Sequence, residues 1–87
     1  MHAPITDART QAHYGNKALA VAALAVSEAS LGNEDAACTA AYRAGVLVYS
    51  AGMPVAQLAA EVADLAADDL LWGQAVDGWY DAAERRA

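Results

Sequence analysis

Phenylalanine is absent from this 87-residue chain, cysteine occurs once, proline twice, and only five residues are basic. Without Phe the large apolar side chains are few, and 25 of the 87 residues are alanine. Alanine buries little surface but has the highest helix propensity, so helix is easy to form here and a deep core is not. The lone Cys38 excludes an intramolecular disulfide and reads as a small buried apolar residue, with a weak bias towards the cytosol. Five basic residues against eleven acidic ones leave a net charge of −6 and a pI near 4.5. That balance argues against binding nucleic acid or an anionic membrane, both of which need clustered Lys and Arg. The apolar run Ala18 to Val26 is far shorter than the ~20 residues that span a bilayer, and no charged segment followed by an apolar core marks a leader. The expectation is a single cytoplasmic domain, residues 1–87, whose heavy use of Ala and of Arg over Lys suits a GC-rich bacterial or phage gene.

What is present is helical punctuation. Thr6 with Asp7 can start a first helix, or Asn16 can cap a later one; from Lys17 onward two apolar faces imply a helix packed on two sides. Gly32 reads as a C-cap and Asn33 as the N-cap of a second helix, Glu34 to about Ser50, with Glu34 and Asp35 at the favourable end of the helix dipole. That helix carries a small-residue stripe at Ala37, Ala41, Ala44 and Val48, and a second stripe at Cys38, Tyr42, Gly45 and Tyr49. Gly52 and Pro54 mark the next boundary, with Pro54 expected at the first position of the following helix. Beyond it Val55, Leu58, Val62, Leu65, Asp69, Trp72, Val76, Trp79 and Ala83 form a heptad-like seam. Asp68 can cap a new helix, so the expectation is two helices, Pro54 to about Ala66 and Asp69 to about Arg85. The fold class is therefore all-α: a compact bundle of three to four helices, made of a helical hairpin followed by a C-terminal helix or helix pair.

Two resemblances bear on function. Leu24, Ala25, Gly32, Asn33, Ala37 and Ala44 resemble one tetratricopeptide unit, but its second-helix aromatic is missing and no second copy follows. Gly52 to Leu71 resembles a DNA-binding helix-turn-helix through Val55, Leu58, Ala59 and Val62, which implies a transcriptional regulator. Ala63 stands where its turn glycine belongs, and Asp68, Asp69 and Asp77 stand where a helix facing phosphates wants basic residues.

Neither catalysis nor metal binding is expected: His2 and His13 lie near the N-terminus, and no His, Cys and Asp set has ligand spacing. No cofactor is implied. The expected role is a non-enzymatic protein-interaction module that presents an acidic helical face to a basic partner, for example as a phage or bacterial inhibitor or accessory protein. The candidate contact residues are Glu61, Asp64 and Asp68 on one stripe and Asp77, Tyr80 and Asp81 on another. Trp72 and Trp79 read chiefly as core, whereas Tyr80 lies beside the seam and is the first candidate for an exposed aromatic contact. Gly73 and Gly78 offer places where another helix can approach closely. A degenerate helix-turn-helix regulator is one alternative, and a self-associating structural subunit, motivated by the thin core, is the other.

Overall fold

The computed structural model describes residues 8–86, apart from the side chains of residues 8, 10 and 86. It is all-α, with no strand among the described residues, and its radius of gyration of 12.1 Å is that of a compact domain of this length. Helix α1 spans Ala8–Ser30 and α2 spans Glu34–Ser50. A return segment follows, built of a 3-10 turn (Val55–Gln57), the single helical turn α3 (Leu58–Glu61) and a second 3-10 turn (Ala63–Leu65); α4, Asp69–Arg86, closes the chain.

The helix ends follow from their local chemistry. Gly32 and Gly52 take positive φ of 82° and 81°, a conformation that costs glycine little. Each is followed by a residue whose N–H reaches back into the helix, Asn33 to the Glu28 carbonyl and Met53 to the Val48 carbonyl. Asp68 caps α4, its Oδ1 accepting from the N–H groups of Leu70 (3.0 Å) and Leu71 (3.2 Å). Asn33 departs from expectation. Its side chain makes no cap bond to α2 and donates instead to Glu28 Oε2 at 2.8 Å, so it braces the turn against the helix behind it.

Three further expectations are corrected. α1 runs without a break through Gly15 and Asn16, so Asn16 is not a cap; the Thr6 cap lies outside the described residues. Pro54 precedes the first 3-10 turn with extended backbone (φ −70°, ψ 158°) rather than occupying the first position of a helix. Most consequentially, Pro54 to Ala66 is not one helix. It breaks at Val62 (φ −129°, ψ 50°), although alanine at positions 59, 60, 63 and 66 favours helix. Packing overrides propensity: Leu58, Val62 and Leu65 are all fully buried, and with Val48 they are the largest side chains in the core to be so. The same break reduces the first helix of the helix-turn-helix resemblance to a single turn.

The remaining core is mostly alanine. Ala18, Ala22 and Ala25 of α1 are buried, as are Ala37, Ala40, Ala41 and Ala44 of α2, while Cys38 is only half-buried against them. α2 and the return segment cover one side of α1. Leu24 and Leu31 lie on the uncovered side, while Leu19 and Val26, also exposed, border grooves along the return segment, so the two apolar faces expected of α1 are only partly covered within one chain.

The return segment carries the chain back to the start of α2, so α4 runs in the same direction as α2. Leu71 and Ala37 line one crevice at one end of the pair, and the Tyr49 and Trp79 rings meet edge to face at 5.3 Å towards the other. The two helices touch backbone to backbone. A Cβ at Gly45 would fall on the Ala75 carbonyl oxygen, and one at Gly78 on the Tyr42 carbonyl oxygen. Gly78 thus allows the close approach expected of it, whereas Gly73 has open space around its Cβ direction. The buried line of α4 is Leu71, Ala75, Gly78 and Ala82, one residue out of register with the expected Trp72, Val76, Trp79 and Ala83. The smallest side chains take the line of contact, and Trp72, Val76 and Trp79 wrap its flanks, half-buried.

Candidate functional site

The return path of the chain gathers carboxylates at one end of the molecule. Six of the eleven acidic residues lie there: Glu28 at the end of α1, Glu34 and Asp35 at the start of α2, Asp64 and Asp68 at the end of the return segment, and Asp69 at the start of α4. No Lys or Arg occurs between Lys17 and Arg43 or between Arg43 and Arg85. Arg43 stands nine residues beyond Glu34, roughly 13 Å along α2. This end therefore carries charge of one sign.

Its surface is not only polar. A crevice of about 340 Å³ runs between α1 and the start of α4, lined by Val26, Ala29, Ser30, Asp64, Ala67, Asp68 and Leu71. A second, of about 190 Å³, adjoins it through Ala29, Asp68 and Leu71 and continues to Glu34, Ala37 and Leu70. Glu34, Asp64 and Asp68 thus border an apolar floor, with half-exposed Leu70 (48%) at its edge. Asp68 is fixed in place by capping α4, which orients its carboxylate.

The structure divides the six expected contact residues among three places. Asp64 and Asp68 meet at this crevice. Glu61, half-buried, lies across α1 beside Gly15 in a separate groove that also takes in Leu19 and Met53. Asp77, Tyr80 and Asp81 lie on α4, Asp81 being roughly 20 Å along the helix from Asp68. Asp77 and Tyr80 are exposed. Asp81 is drawn inward: its Oδ2 accepts from the Tyr42 hydroxyl at 2.7 Å, and that hydroxyl accepts from Arg85 Nη2 at 2.8 Å. The carboxylate beside it raises the Tyr42 pKa above the usual tyrosine value, partial burial adds to the shift, and the Arg85 charge opposes it. Tyr80 packs edge-on against Trp79 at 5.1 Å, and Trp79 Nε1 donates to the Met53 carbonyl at 3.0 Å, pinning the start of the return segment to α4.

Sequence reasoning missed Glu34, Val26, Ala29 and Leu71 as parts of this surface, because only the return path brings them beside Asp64 and Asp68. Among the described residues no three His, Cys, Asp or Glu side chains are placed to hold a metal ion, no charged side chain is buried, and no helix is long and apolar enough to cross a membrane. Comparison with models of known protein families, with curated proteins and with solved structures gives no match in any of the three.

Proposed function

We propose that the chain is a non-enzymatic interaction module of the cytoplasm whose acidic end receives a basic, amphipathic segment of another protein. The observation that supports this reading is the pairing of an apolar floor, Val26, Ala29 and Leu71, with a border of Glu34, Asp64 and Asp68. A segment with Lys or Arg flanking a few apolar side chains matches both features. The apolar contact supplies affinity, and the carboxylates supply steering and orientation. A partner that itself binds nucleic acid would be inhibited, since six carboxylates at this end stand where phosphates would.

The test is an affinity pull-down with mass spectrometry, comparing the native chain with an Asp64→Asn, Asp68→Asn double variant. Asn caps a helix about as well as Asp, so the second change removes charge while keeping α4 capped. Proteins with basic segments captured by the native chain and lost with the variant are the expected result. Capture that is unchanged by the variant, or no capture at all, overturns the reading.

A further inference from the structure

The exposed face of α1 runs from Lys17 to the border of the acidic end at Glu28. Between Lys17 and Glu28 it carries no ionisable residue, in a chain of net charge −6. Directly opposite the buried Ala18, Ala22 and Ala25 runs a line of small side chains, Ala20, Ala23 and Ser27, bordered by Leu19 on one side and Leu24 and Leu31 on the other. The three leucines are 52%, 51% and 71% exposed. Small residues between two leucine ridges let another helix approach closely.

We propose that this face docks a second copy of the chain, with the two α1 helices antiparallel about a twofold axis near Ala23. The charges at its two ends select that occupant. Lys17 and Glu28 are eleven residues apart, close to three whole turns, so they lie on the same flank of α1. A twofold axis perpendicular to two antiparallel helices keeps each flank facing its own counterpart, so Lys17 of each copy meets Glu28 of the other, twice. Parallel pairing would put the two copies of this flank on opposite sides of the contact, leaving neither charge a partner. Two copies of net charge −6 repel across their acidic ends, and this face is where that repulsion is replaced by complementarity. From Lys17 to Leu31 the face runs about 21 Å along the helix and is about 10 Å wide, smaller than a standard specific interface. The dimer is accordingly weak, dissociating in the micromolar range or above.

Sedimentation equilibrium of the full chain over a wide concentration range tests this. The native chain is expected to show a monomer–dimer equilibrium. Leu24→Glu puts a charge into the contact and should weaken self-association about 100-fold or more. Leu24 is half-exposed, so helicity by circular dichroism should be unchanged and should separate loss of contact from loss of fold. Lys17→Glu alone should weaken the dimer several-fold and combination with Glu28→Lys should restore it. A chain that is monomeric at every concentration overturns the proposal, whatever else the face then binds. So does a dimer indifferent to Leu24→Glu, and a charge swap that fails to restore association overturns the antiparallel arrangement.

Discussion

The Tyr42 hydroxyl donates to the Asp81 carboxylate at 2.7 Å and accepts from Arg85 at 2.8 Å, so one phenol ties the final turns of α4 to the middle of α2. Its proton is held more tightly in the folded chain than in the unfolded one, because ionisation would set a phenolate against Asp81. The stabilisation is therefore fully present below the usual tyrosine pKa of 10.0 and is lost as pH rises through the higher folded value. Urea midpoints measured from about pH 8 to about pH 11 should fall at the alkaline end, and Tyr42→Phe should flatten that fall. An equally steep fall in the variant would show that other groups cause it.

The glycines of α4 should respond in opposite directions to the same substitution. Gly78→Ala, like Gly45→Ala in α2, drives a methyl group into a backbone carbonyl and should destabilise by about 2 kcal/mol or more. Gly73→Ala has room and should stabilise by about 0.5–1 kcal/mol through helix propensity alone. Chemical denaturation of the three variants provides the comparison.

Asp68→Ala should cost about 1 kcal/mol, because the N–H groups of Leu70 and Leu71 lose their acceptor. Asn33→Ala should cost a few tenths, since that side chain makes no cap bond to α2 and holds only the exposed Glu28 contact. Similar losses at the two positions would argue that the cap at Asp68 contributes little.

Leu58→Ala should cost about 3 kcal/mol although it sits in a single helical turn, because its side chain is fully buried in a core otherwise made largely of alanine. Leu70→Ala, at 48% exposure, should cost well under half of that. Thermal unfolding monitored by circular dichroism measures both.

The boundaries of α2 and the start of α4 are legible in the sequence because Gly32, Gly52 and Asp68 each carry local chemistry that ends or begins a helix. The register of α4 is not. A pattern read from hydrophobicity selects Trp72, Val76 and Trp79, while the line of closest approach belongs to Ala75 and Gly78, whose value lies in having almost no side chain. The break at Val62 is hidden for the opposite reason: its neighbours all favour helix, and only the burial of Leu58, Val62 and Leu65 together explains the path. The candidate surface inherits that blindness. Asp64 and Asp68 stand out as carboxylates, but the floor of Val26 and Leu71 and the third carboxylate, Glu34, come from elements brought alongside by the return segment.

That segment also orders events during folding. α1 and α2 are joined by the short turn at Gly32 and Asn33, so their contacts close a small loop and form at little entropic cost. α4 runs in the same direction as α2 and reaches it only after residues 51–68 have travelled the length of the hairpin. Docking of α4 is thus the late step, and until the return segment packs the hairpin lacks Leu58 and Leu65, the fully buried leucines among the described residues. A nascent chain halted before Leu58 would hold two alanine-faced helices with little to keep them together, which makes the last third of the polypeptide the part that commits the whole to its native state.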